Sequence, residues 1–250
     1  MRKTIIITGA SSGLGAEMAR QFAALGRNLG LCARRTERLE TLKQELETQY
    51  PSIKVSLKAL DVNDHDAVFR VFGEFKQEFG HIDRIIVNAG MGKGGPLGTG
   101  LFKYNKLTAE TNYIAALAQC EAALEIFYEQ QSGHLVTIAS ISALRGMPRA
   151  LTAYASSKAA LVNLTEGIRA DLMRQNSPIK TSCILPGFIR SEINEKVKNT
   201  PFMCDTVPGV RSMVRAIEKE KVQAYVPSWP WILVAFLLKR LPLKQTLKLG

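Results

Sequence analysis

Thr8-Gly9-Ala10-Ser11-Ser12-Gly13-Leu14-Gly15 is the stretch on which the reading of this chain turns. A β-branched run, Lys3–Thr8, precedes it, and a helical run through Ala16–Leu25, closed by Gly26, comes after it. Glycine between strand and helix permits a tight turn. It also lets backbone amides come close to a pyrophosphate, which the positive end of the helix then stabilises. The spacing is G-x-x-x-G-x-G rather than G-x-G-x-x-G, and by itself it also suits a tight turn without a ligand. Its strand–turn–helix setting argues for a phosphate cradle made by Gly9, Ser11, Ser12, Gly13, Leu14 and Gly15.

Outward from that turn the chain alternates. Asn28–Ala33, Ile53–Leu60, Arg84–Val87, Leu135–Ala139, Lys180–Leu185 and Val222–Val226 read as further strands. Between them lie helical patterns: Thr36–Gln49, the segment around Asp64–Phe79, Thr108–Gln130, a helix from about Tyr154 to Gln175, and Val210–Lys219. Short apolar strands alternating with amphipathic helices predict an α/β fold. It is a single Rossmann-type, doubly wound parallel sheet of about seven strands with helices on both faces. Ligands then belong at the carboxyl ends of the strands. Residues 1–228 are expected to form one domain, followed by an apolar and basic tail at 229–250.

Composition narrows the class. The 250 residues are 46% hydrophobic and 22% charged, enough for a sizeable core. Cys32, Cys120, Cys183 and Cys204 are far apart and form no C-x-x-C pair, so free thiols in a reducing, cytoplasmic setting are expected rather than disulfides or a metal site. Arg2 and Lys3 lead straight into the first strand, which is too short for a signal core, and no run approaches the roughly 18 apolar residues of a membrane span. The net charge of +11 suits an anionic partner, but no nucleic-acid motif or basic–aromatic patch accompanies it, and nucleic-acid binding is not expected.

The second strand ends in Ala33-Arg34-Arg35-Thr36 without an acid. An NAD site places Asp or Glu there against the ribose 2′-hydroxyl, whereas a guanidinium suits the 2′-phosphate of NADP(H). Arg34, helped by Arg35, is the candidate; two exposed arginines at a helix start are the alternative. Asp61-Val62 ends the third strand where an adenine edge would lie, or else Asp61 serves as a helix cap. Asn88-Ala89-Gly90 ends the fourth with residues small enough for backbone to pass the cofactor's ribose.

Tyr154 and Lys158 fall on the same helical stripe as Leu161, Leu164, Ile168 and Leu172. An inward lysine is costly unless something partners it. The pattern Tyr-x-x-x-Lys is common by chance, and taken alone a helix end whose first turn reaches water, with Lys158 solvated, is the plainer reading of it.

Together these residues resemble the short-chain dehydrogenase/reductase family in its compact form of about 250 residues. The resemblance runs from about Lys3 to Val226 and rests on Thr8–Gly15, Asp61-Val62, Asn88-Ala89-Gly90, Asn112, Ser140, Tyr154–Lys158 and Pro186-Gly187 in order and spacing. It implies Tyr154 as acid/base and Lys158 as the group that favours the phenolate and bonds the nicotinamide ribose. It implies Ser140 on the substrate oxygen, with Ser142 a nearby rival, and Asn112 holding a water that relays protons. Pro186, Gly187 and Ile189 join the cofactor contacts. The implied enzyme is an NADP(H)-dependent oxidoreductase interconverting a small-molecule carbonyl and alcohol, as a homodimer or homotetramer. Apolar residues Phe188, Phe202 and Met203 lean the substrate toward a lipophilic ketone or alcohol. A non-catalytic NADP(H)-binding sensor and a membrane-surface scaffold are the competing functions. The tail, with Trp229-Pro230-Trp231, Ile232–Leu238 and Lys239-Arg240, suits either an interfacial helix at the inner membrane surface or a cover for a neighbouring subunit.

Overall fold

The computed structural model describes residues 2–194 and 201–246. Part of the expected substrate segment (195–200) and the last four residues of the expected tail (247–250) lie outside the described residues.

Strands β1 (Thr4–Thr8), β2 (Asn28–Ala33), β3 (Val55–Ala59), β4 (Arg84–Val87), β5 (His134–Ile138), β6 (Lys180–Pro186) and β7 (Gln223–Val226) form one sheet in the order β3-β2-β1-β4-β5-β6-β7. Every neighbouring pair is parallel. Side chains alternate across it. Ile5 and Ile7 face a core built with Met18, Phe22, Leu39, Leu46, Met213 and Ile217. Ile6 faces the opposite core with Val68, Phe72, Phe75, Phe127 and Leu161. Helices α1 (Gly13–Ala24), α2 (Thr36–Gln49) and α7 (Thr206–Glu218) therefore cover one face, and α3 (His65–Phe79), α5 (Ala115–Gln130) and α6 (Leu151–Arg174) the other. The winding direction reverses between β1 and β4, which opens a crevice at their carboxyl ends.

The stretch expected as one helix from Thr108 differs. Helix α4 (Phe102–Ala109) runs into a π-turn, Glu110–Ile114, before α5. The extra residue rotates α5 relative to α4. Of the expected stripe of Tyr113, Leu117, Cys120, Leu124 and Phe127, Cys120 and Phe127 take the core together with Ala116 and Ala123, while Tyr113, Leu117 and Leu124 are half-buried. Single π-turns gather at functional sites, and this one holds Asn112.

Beyond β7, helix α8 (Ser228–Arg240) folds back on the sheet's edge, with short α9 (Leu243–Thr246) after it. Its Trp231, Ala235 and Leu238 pack with Ile141 against Leu144, Met147, Phe188 and Tyr225.

Candidate active site

The glycine turn is tied down from both sides. Thr8 Oγ1 accepts hydrogen bonds from the amides of Asn88 and Ala89, each at 3.1 Å, and Asn88 Nδ2 donates to the Thr8 carbonyl at 2.9 Å. A methyl group on Gly9 would lie 2.9 Å from Ala89 Cα, and one on Gly15 only 2.3 Å from the Gly9 carbonyl oxygen. Both positions admit glycine alone because backbone meets backbone there. Asn88 thus acts as a brace for the turn, a role its place at a strand end does not disclose. Ser12 is extended before α1 and makes no side-chain cap bond, so the first amides of the helix face the turn.

The two arginines after β2 divide. Arg35 crosses to the glycine turn: its Nη2 donates to Ser12 Oγ at 2.7 Å and its Nε to Ser11 Oγ at 3.4 Å. Arg34 is 71% exposed and pairs with Asp61 at 3.6 Å. Asp61 accepts from the Asn63 amide, while Asp64 caps α3 through the Ala67 amide. Val62 is buried in the core.

At the end of β5, Ser140 Oγ accepts from the Ser142 amide at 3.2 Å and from Ser142 Oγ at 3.0 Å. Ser142 is buried and serves Ser140, while Ser140 is half-buried beside Tyr154. Burial raises the Tyr154 phenol above its ordinary value, and a hydrogen bond with the Ser140 side chain pulls the other way. Helix α6 begins about one turn earlier than expected, at Leu151, so Tyr154 sits inside the helix rather than at its head.

Lys158 is 5% exposed. Its amine donates to the Ile138 carbonyl at 2.8 Å, and among the described residues no carboxylate partners it. Desolvation lowers it from 10.5 to about 8. A methyl group on Gly90 would stand 3.3 Å from Lys158 Nζ and 3.1 Å from Asn112 Oδ1, so these three meet. Asn112 is fully buried. Its Oδ1 accepts from the Met91 amide at 2.8 Å, and its Nδ2 donates to the Met91 carbonyl at 2.9 Å and to Ser157 Oγ at 3.2 Å. Asn105 clamps Gly95 in the same two-handed way, at 3.0 and 3.1 Å, and Thr108 donates to the Lys93 carbonyl. The motif pattern does not single out Asn105 and Thr108; their only signal is a row of polar residues on one helix face.

After β6, Gly187 packs against Trp231, whose ring a methyl group at 187 would overlap. Trp231 meets Phe188 edge-on at 5.4 Å and Phe202 at 6.2 Å between centroids. Pro186 closes β6, and Ile189 is buried over Gly209 and bridges to Cys204.

Two backbone-lined glycine positions, a helix start, an arginine on two serines and a buried amine beside a phenol suit a nicotinamide dinucleotide. They meet at the crevice where the sheet reverses. Residues 3–201 match the short chain dehydrogenase family, and the chain belongs to it. It is an oxidoreductase of the kind that acts on alcohol and carbonyl groups. It is 51% identical over 245 residues to a protein of Mycobacterium tuberculosis (strain H37Rv) named "Uncharacterized oxidoreductase", covering 98% of this chain and 96% of that one. "Dehydrogenase/reductase SDR family member 7B" of Bos taurus is 36% identical over 194 residues, 76% of this chain and 59% of the other. Among solved structures, levodione reductase superposes with a TM-score of 0.79 at 25% identity, covering 89% and 94% of the two chains. A short-chain dehydrogenase/reductase from Burkholderia phymatum in complex with NAD shares the fold with a TM-score of 0.84 at 22% identity, over 99% of this chain and 95% of that one. Among the described residues no cluster of three metal-ligating side chains occurs, and no helix is long and apolar enough to cross a membrane.

Proposed function

We propose that this chain is an NADP(H)-dependent oxidoreductase that interconverts a carbonyl and an alcohol, with Tyr154 as acid/base and a lipophilic substrate. The observation that carries the chemistry is Lys158: a buried amine bonded to a backbone carbonyl, one helical turn from a phenol. Such a group is costly to bury and is explained by a use.

The phenol, raised by burial, is protonated at neutral pH and suited to give its proton to a forming alkoxide. Ser140 donates a hydrogen bond to the same oxygen, and Ser142 orients Ser140. Lys158 favours the phenolate left behind and would hold a ribose hydroxyl of the cofactor. Asn112 fixes the Met91 loop and stands beside Lys158 to hold a relay water. The cofactor, when bound, supplies the hydride. Gly9, Gly13, Gly15, Asn88, Ala89, Gly90, Pro186, Gly187 and Ile189 would line it. Support for the phosphorylated form is Arg35 on Ser11 and Ser12 and the lack of an acid after Ala33, with Arg34 alongside. Half-buried Leu144, Met147 and Phe188 support an apolar substrate. A non-catalytic binder would have no use for the Ser140–Tyr154–Lys158 group.

The test is oxidation of NADPH and NADH with a panel of apolar ketones and aldehydes, in wild type and in Tyr154→Phe. NADPH should be preferred, and the Phe variant should lose turnover while still binding NADPH. A Phe variant with wild-type turnover removes Tyr154 from the chemistry.

A second reading concerns α8. Its outer face exposes Trp229 (76%), Ile232, Leu233 and Phe236, beside Lys239, Arg240 and Lys244. No acidic residue occurs after Glu220. An apolar stripe with basic flanks and a tryptophan suits anionic lipid. Vesicles containing phosphatidylglycerol should sediment the protein where phosphatidylcholine vesicles do not. Equal behaviour with both, or a concentration-dependent doubling of mass lost on Phe236→Asp, would assign the face to something else, in the latter case a second copy.

A further inference from the structure

The segment after β6 reaches across the crevice. Ser191 lies on Gly13, where an added methyl would be 3.4 Å from Ser191 Cβ, and Ile193 lies on Gly92 of the loop after β4, at 2.8 Å by the same measure. Between them Glu192 turns to the arginines. Its carboxylate accepts from Arg35 Nη2 at 3.0 Å and from Arg38 Nη1 at 2.5 Å. Those guanidiniums, with Ser12, hold the carboxyl down, to about 2, so it is ionised at any physiological pH. Asn194 shapes the turn by accepting from the Ser191 amide and donating to the Ile189 carbonyl, both at 2.8 Å. The base is pinched where Phe188 and Arg190 pair with Cys204. Residues 189–194 thus form a built turn that holds an anion against the two arginines.

We propose that Glu192 is a specificity-determining residue, an internal competitor that occupies the guanidiniums a 2′-phosphate would use. The inference rests on the assignment of that phosphate to Arg35 under the proposed function. The chemistry is shared: Arg reads carboxylate and phosphate oxygens with the same planar fork. The outcome differs by charge. A phosphate monoester carries about −1.5 to −2 at pH 7 and displaces a single carboxylate. A 2′-hydroxyl is neutral, cannot displace it, and binds with Glu192 still in place. Glu192 therefore weakens ligands carrying the 2′-phosphate and leaves those without it untouched. Both ion pairs are about half exposed, which limits the effect.

The experiment measures binding of adenosine 2′,5′-bisphosphate and adenosine 5′-monophosphate, which differ only in the 2′-phosphate, to the full chain by calorimetry at fixed ionic strength. Glu192→Gln should tighten the bisphosphate about tenfold, equivalent to 1.4 kcal/mol, and leave the monophosphate unchanged. Glu192→Ala should act in the same direction, which separates loss of the charge from a new amide contact. No change for either ligand, equal tightening of both, or weaker bisphosphate binding overturns the proposal. Turnover is read separately. A wild type that prefers NADH, with the bisphosphate still gained selectively in Glu192→Gln, removes the NADP assignment and leaves the competition standing.

Discussion

The two ends of one sheet treat a buried cation in opposite ways. At the amino end, Arg84 is 1% exposed and its donors are engaged on every side. Nη1 pairs with Glu218, Nε donates to His134 Nδ1 at 2.9 Å, Nη2 to the Ile217 carbonyl at 3.3 Å, and the guanidinium lies over Phe22. Glu218 takes Arg27 as well, at 2.5 Å; burial would raise its carboxyl, but the two arginines outweigh that and hold it low. Burial pushes His134 down to about 2, so it stays neutral and donates Nε2–H to Ser182. At the carboxyl end, Lys158 is buried almost as deeply and has one carbonyl among the described residues. A cation satisfied by its own carboxylate is holding the fold together; one left half-satisfied is held ready for something else. Burial alone does not tell them apart, whereas counting partners does.

Paired substitutions should split the two. Lys158→Met should cut turnover by about 10²–10⁴-fold while the protein stays folded. Arg84→Met should lower stability by about 3 kcal/mol, since Glu218 and His134 lose their shared partner. The readouts are steady-state rates and urea unfolding on both variants. An inactive but fully stable Arg84→Met, or an active Lys158→Met, breaks the contrast.

A smaller effect sharpens it. Lys158 titrates at about 8 when folded, against an ordinary 10.5. Between those values the unfolded chain keeps a proton that the folded chain has released, so wild-type stability rises with pH through that window. Lys158→Met lacks the titration. The stability difference should therefore move toward the wild type by ~2 kcal/mol between about pH 7 and pH 10, at about 1.36 kcal/mol per unit of displacement. Urea midpoints at the two pH values measure it, and a constant difference would mean that the amine is not desolvated.

All seven strands were legible within a residue or two at each end, because strands buried on both faces of a parallel sheet are continuous apolar runs. Helix patterns were legible too, until the π-turn at Glu110–Ile114 broke the period on which such reading depends. The residues of the glycine turn and of Tyr154–Lys158 lie close together in sequence, and their meeting is local. Ser140 was already preferred to Ser142 on family spacing; that Ser142 is buried and donates to Ser140 Oγ was not legible, because both are hydroxyls at a strand end. Arg35 rather than Arg34 on the glycine turn depended on which way two adjacent side chains leave a helix start. Glu192 was out of reach altogether: its partners Arg35 and Arg38 lie 157 and 154 residues earlier, and a glutamate in an irregular stretch carries no pattern.

Helix α8 has an optical consequence. The chain has two tryptophans, both in this helix and two positions apart. Trp229 is 76% exposed and Trp231 only 3%, with its indole nitrogen unpartnered among the described residues, beside Gly187. Intrinsic emission excited above the tyrosine band therefore comes from this helix and from nowhere else. A red, quenchable component belongs to Trp229 and reports what touches the outer face. A blue, shielded component belongs to Trp231 and reports movement of Phe188 and Phe202 against it. The unlabelled protein thus distinguishes an event at its surface from one at the Trp231–Phe188–Phe202 packing by colour alone.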